Sequence, residues 1–184
     1  AAGLREGEGP GAVQRVDAAS SVAPLLADQL DGLLAFAPAA AAELAARGET
    51  AVTLSLAELG VTTRDQLYVT TEEALATRRP AVVAALRGEA RGWREASHDH
   101  EAARDLAVDV YGAELDLDPA GQLELLRRML TLMRPADGES PLQLSAESAA
   151  ADAALLTRLG WPIGPAAFAV DVMAEVDTSG FALG

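Results

Sequence analysis

The chain has no cysteine and no lysine, and each absence closes off a class of reading. Without Cys there are no disulfides, no thiolate catalysis and no Cys-based zinc site, although the compartment is left open. All 14 basic residues are Arg and face 28 acidic ones, for a formal charge of −14. No basic stripe is therefore available to neutralise phosphates, and no nucleic-acid partner is expected. Long apolar runs are missing too. The longest, residues 33–42, falls far short of the roughly 20 residues that span a bilayer. Only two His occur, and both lie in the tripeptide His98-Asp99-His100. A zinc or copper site needs three or four ligands from fixed positions, so this stretch reads as an inter-helix break with Asp99 as a cap, and no metal is assigned. No GxSxG, P-loop or dinucleotide-binding context is present, and the carboxylates are scattered at solvent-type spacing. No catalytic residue and no cofactor are assigned.

What is present is a well-patterned globular chain. Half of the 184 residues are apolar and under a quarter are charged, enough for a substantial core. Residues 24–61 organise it. Leu25, Leu26 and Leu30 recur at helical spacing before Asp31-Gly32. Residues 32–36 form a short apolar run of buried-strand type, broken by Pro38. Residues 39–47 are an Ala-rich helix closed by Gly48, and residues 51–56 read as a second strand. Strands alternating with single helices make βαβ units and a parallel sheet, whose ligands sit beyond the carboxyl ends of the strands.

Around this stretch, residues 12–16 alternate like a half-buried strand, and Ser20 or Ser21 can cap the following helix. Beyond Gly60, residues 66–70 read as a strand, and Thr70 with Glu73 fits a capping box. Pro80 starts a helix whose apolar stripe is Val82, Val83, Leu86, Ala90 and Trp93. Residues 101–111 are helical up to Gly112. Asp118-Pro119 opens the next helix, Ser145 another that ends at Gly160, and Phe168, Val172 and Met173 mark a last turn. Residues 1–65 are thus α/β in character, and almost everything from 71 onward is helical.

Three strings in order resemble a known family: PLLADQLDGLLAF from Pro24 to Phe36, LYVTTEEAL from Leu67 to Leu75, and RPAVVAALRGEARGWREA from Arg79 to Ala96. The pattern is similar to the solute-binding proteins of ABC importers, in the branch that takes thiamine pyrimidine precursors, sulfonates, taurine or nitrate. It extends over about residues 13–111 and more loosely to about 180.

The resemblance implies an α/β, periplasmic-binding-protein-like type II fold, here incomplete. Residues 1–65 would be the C-terminal part of the second lobe. Residues 66–184 would be a hinge strand and helices packing on a first lobe that is missing, so the chain reads as a fragment. It further implies a non-enzymatic extracytoplasmic protein that binds a small solute between two lobes and delivers it to the transmembrane permease. Such a protein is a monomer, held at the membrane only by that permease or by a lipid anchor.

The loops at the strand ends supply the candidate ligand contacts. Phe36, Ala37 and Pro38 come from the first, with Phe36 as a stacking surface. Family members often carry a polar residue just after this position, whereas here the chain reads Ala-Pro-Ala-Ala. Leu59, Gly60 and Thr62 come from the second, Gly60 allowing close backbone approach and Thr62, with Thr63, supplying hydroxyls. Arg64 is the cation suited to an anionic solute.

Each assignment has a plainer counterpart. Phe36 can be core, Leu59-Gly60 a turn that needs Gly for its dihedrals, Arg64 a solvated residue, and Trp93 and Trp161 packing groups. Three alternatives stay open for the whole chain: a pyrimidine-synthase-like enzyme on the same fold, whose His- and Cys-rich motif this chain lacks, a cytoplasmic ligand-sensing domain, and a truncated remnant that binds nothing.

Overall fold

In the computed structural model the described residues are 5–7, 12–17, 21–62, 66–134 and 140–183. They fall into two units, Ala1–Ala51 and Val52–Gly184. Ser20, Thr63 and Arg64 lie outside the described residues.

In the first unit the strands β1 (Arg5–Glu6) and β2 (Ala12–Val13) pair in parallel, Arg5 opposite Ala12 and Glu6 opposite Val13. The helix expected from Pro24 is shorter than its leucines suggested: α1 spans Ala23–Leu26, and the chain turns at Asp28, whose φ is 55°. Helix α2 covers Ala37–Ala46 with Pro38 in its first turn, and Gly48 follows at φ 69°, a left-handed position that favours glycine. Glu43 of α2 ties the two helices together. Its carboxylate accepts from the Ser21 hydroxyl (3.0 Å) and from the Val22 N–H (3.1 Å), and it pairs with Arg47 at 2.8 Å. Val22 beside this clasp is 1% exposed.

The second unit is helical from Glu72 onward. Helix α3 runs Glu72–His98 and is capped by the Thr71 hydroxyl, which accepts from the Ala74 N–H at 3.1 Å. The cap is thus Thr71 and not the neighbouring Thr70. The break expected before Pro80 is a kink: Arg78 leaves helical geometry (φ −133°, ψ 23°) while the helix continues. Proline removes a hydrogen-bond donor and disfavours helical dihedrals just before it, which bends the helix without ending it. Asp99 ends α3 and caps α4 (His100–Asp105), accepting from the Ala102 N–H at 3.0 Å. A wide π-helical stretch, Leu106–Tyr111, follows and stops at Gly112. Helix α5 (Pro119–Leu132) is capped by Asp118, and α6 (Ala146–Arg158) by Ser145, both as the sequence indicates. A 3-10 turn, Pro165–Ala167, and α7 (Val170–Met173) complete the order.

Val83 and Ala90 of α3 pack against Val172 and Val176, with Leu75, Val82, Leu86 and Met173 around them. The chain after α7 then lies along α3, held by arginines. Arg79 pairs with Asp171 (2.8 Å) and Glu175 (2.7 Å). Arg87 donates to the Glu175 carbonyl, and Arg94 donates to those of Asp177 and Ser179. Ser97 accepts from the Ala182 N–H, and the Ser140 hydroxyl donates to the Thr178 carbonyl.

The strand-pattern segments behave differently. Residues 32–36, 51–55 and 66–70 are irregular chain, and among the described residues β1 and β2 make the one strand pairing. Leu34 is 85% exposed, Val52 93% and Val69 91%. The physical reason is local: a helix closes its hydrogen bonds within itself, whereas a strand needs a neighbouring strand in register.

Candidate functional site

Phe36, Ala37 and Pro38 sit where irregular chain becomes α2. Phe36 is the N-cap, with extended backbone (φ −69°, ψ 106°), and its carbonyl accepts from the Ala40 N–H at 3.1 Å. Its ring is half-buried, Ala37 is exposed and Pro38 is buried. No side chain caps this helix start.

Leu59, Gly60 and Thr62 lie in the second unit, the first two in a single tight turn and Thr62 just after it. Ser55 and Glu58 cap it reciprocally: the Ser55 hydroxyl accepts from the Ala57 N–H (3.0 Å), and the Glu58 carboxylate accepts from the Ser55 N–H (2.8 Å). The Val61 N–H then closes onto the Leu56 carbonyl at 2.9 Å, with Gly60 at φ 83°. Any other residue would be strained at Gly60, so glycine is required here by the turn itself. A Cβ placed there would meet nothing within 4 Å, which leaves the backbone open to approach. Leu59 is 65% exposed and Thr62 is exposed.

A third group went unnoticed in the sequence. Trp93 lies on the stripe of α3, and its indole N–H donates to Glu89 at 3.0 Å. The charge of the same carboxylate acts on the Tyr68 phenol. Burial first, then Glu89, push its pKa up to about 12, with Trp93 pulling the other way, although the residue as a whole is 64% exposed. Glu89 thus holds Trp93 by a hydrogen bond and acts on Tyr68 by its charge. The i, i+4 spacing of Glu89 and Trp93 was readable, but the arrival of Tyr68 from irregular chain was not.

The two His residues are separated in role. His98 Nε2 meets the Gly180 carbonyl at 2.9 Å as part of the tail attachment, and Asp99 is occupied as a cap. Among the described residues no group of three or more His, Asp or Glu side chains is placed to hold a metal ion. Trp161 is 70% exposed, and its backbone N–H donates to the Leu156 carbonyl in the turn that ends α6. No helix among the described residues is long and apolar enough to cross a membrane.

Two clefts open on the helical unit. One, of about 300 Å³, is lined by Arg87, Arg91, Arg94, Glu175 and Asp177. Its guanidiniums are already engaged by tail carbonyls and carboxylates. The other, of about 220 Å³, lies between α5, the start of α4 and the tail.

The model of one protein family, described as NMT1/THI5 like, matches residues 5–103, more than half of the chain. No curated protein and no solved structure matches it. The matched span holds Phe36, Gly60, Thr62 and the Tyr68–Glu89–Trp93 group. With over half its length matched, the chain belongs to the NMT1/THI5-like family, which carries a periplasmic-binding-protein-like fold.

Proposed function

We propose that this chain is a non-enzymatic solute-binding component of an ABC importer, taking a thiamine pyrimidine precursor, a sulfonate such as taurine, or a related small molecule. The observation that carries this reading is the family match over residues 5–103, because that span contains both candidate loops. Residues 1–65 belong to the second α/β lobe, and residues 66–184 are a hinge strand and helices that pack on the first. The unpaired apolar segments at 32–36, 51–55 and 66–70 support this division, since their pattern suits strands of a larger sheet. In the first unit Phe36 offers its partly exposed ring to a planar ligand beside Ala37 and Pro38, and in the second Leu59 offers an exposed apolar side chain. Gly60 lets the backbone approach, Thr62 supplies a hydroxyl, and Arg64 pairs with an anionic group where the solute has one. The protein acts outside the cytoplasmic membrane as a monomer, with the permease as its partner, and meets the membrane only through that permease or an anchor.

Titration calorimetry of the full chain with hydroxymethylpyrimidine, taurine and nitrate tests the reading. Saturable binding of one of them, weakened roughly tenfold or more by Phe36→Ala, is expected. Absence of saturable binding by all three would favour a chain that binds no family solute on its own.

A further inference from the structure

The smaller of the two clefts is lined by two arginines and a histidine. Carboxylates outnumber arginines two to one in this chain, 28 to 14, and Arg47, Arg79, Arg91, Arg94 and Arg104 each pair with one. Arg128 does so too, pairing with Glu124 at 2.6 Å. Its neighbours Arg127 and Arg134 do not: among the described residues neither has a carboxylate partner, and both line the same cleft with His100. Among the described residues no acidic side chain lines it, whereas the larger cleft contains Glu175 and Asp177.

The walls are built and not incidental. Leu130 forms an apolar floor and is 5% exposed. Ala182 and Leu183 close one side, brought there because His98 and Ser97 fasten the tail at Gly180 and Ala182. Thr131 directs its hydroxyl proton to the Arg127 carbonyl at 2.9 Å, so the donors left facing the cleft are the two guanidiniums and the His100 ring. The C-terminal end of α5 is nearby, and its free carbonyls disfavour an anion. That effect is weak and confined to the last turn, and two full positive charges outweigh it.

We propose that this cleft binds a small oxyanion, held by the forked donors of Arg127 and Arg134 and by His100, with Leu130 and Leu183 as the apolar wall beside it. Guanidinium forks match both carboxylates and tetrahedral oxyanions. At about 220 Å³ the cleft is smaller than the roughly 300–1,000 Å³ pockets of drug-sized ligands, which limits the ligand to a phosphate, a sulfate or a short carboxylate. The site lies apart from both candidate solute loops in sequence, and its occupancy does not depend on which solute they take.

The test titrates the full chain with inorganic phosphate, and separately with acetate, at constant ionic strength set by chloride. Amide and arginine side-chain resonances are followed by NMR. Saturable shifts at Arg127, Arg134 and the Ala182-Leu183 amides are expected with at least one of the two anions. Saturation by phosphate alone assigns a tetrahedral oxyanion, and saturation by acetate assigns a carboxylate. Affinity is expected to fall at least about tenfold in R127Q/R134Q. Both side chains are exposed, so the variant keeps its fold, which circular dichroism checks. Non-saturating shifts with both anions, or equal affinity in the double variant, would overturn the proposal.

Discussion

The helical residues from Glu72 onward and the strand-pattern segments before them both carry patterned apolar residues but differ in what they can do alone. Helix α3 brings its own hydrogen bonds, so its stripe needs only something to lie against. It finds this in α7 and the tail, and Val83 is 3% exposed as a result. Val52, in residues 51–55, carries the same side chain at 93% exposure. Burying an apolar strand requires a partner for its backbone as well as for its side chains, and among the described residues that backbone partner is absent. Local order in this chain therefore follows hydrogen-bonding reach more than hydrophobicity.

The sharpest ways to probe this contrast lie in the helical unit. Gly112 closes the π-helical stretch, and a Cβ there would run into the Ala107 carbonyl and the Leu117 side chain. Gly112→Ala is expected to destabilise the unit by about 1–3 kcal/mol in denaturant unfolding. Val83→Ala opens a void in the core cluster, with an expected loss of about 2 kcal/mol. Val52→Ala is the matched control and should stay within about 0.5 kcal/mol of the parent. A loss at Val52 as large as that at Val83 would mean that residues 51–55 are packed in solution, and the contrast would fail.

The first unit is held in a different way, by the Glu43 clasp, and acid should release it. Burial alone would raise the Glu43 pKa, but hydrogen bonds from the Val22 N–H, the Ser21 hydroxyl and Arg47 outweigh it and hold the carboxyl below its ordinary value of 4.5. A depressed carboxylate contributes stability that is present above its unfolded pKa and lost as pH falls through the folded one. Glu43→Gln should remove roughly 1 kcal/mol at neutral pH and flatten that acid-side loss. The check is amide exchange of residues 21–26 as a function of pH. At the alkaline end the effect is smaller. Tyr68 has a raised pKa, so its contribution is present below 10 and lost as pH rises towards about 12. Glu89→Gln should bring the Tyr68 titration down, as read from its ring resonances, and an unmoved titration would remove Glu89 from the group.

Much of the helical half was legible because its signals are local. Asp118, Ser145, Asp99 and Gly48 act within one turn of themselves, and each cap stands where its residue type indicated. Thr71 displaced Thr70 because adjacent threonines differ only in which hydroxyl reaches an N–H three residues on. The arginine attachment of the tail was not legible, although Arg79, Arg87 and Arg94 recur along one side of α3. Their partners lie more than 80 residues away, and most are backbone carbonyls, which leave no mark in sequence. The strand pattern was visible at residues 32–36, 51–56 and 66–70, but pattern does not supply a partner. For the candidate site, the family resemblance drew attention to the loops at Phe36 and Gly60. The dihedral demand of the turn at Gly60 followed from the residue, whereas the Tyr68–Glu89–Trp93 group needed the fold.

Hydrogen exchange followed by mass spectrometry on the full chain compares the two kinds of segment directly. The account predicts strong, cooperative protection across residues 80–98 and 170–176, and exchange near the unstructured rate for residues 51–54 and 66–70. Protection of these two segments equal to that of α3 would contradict it.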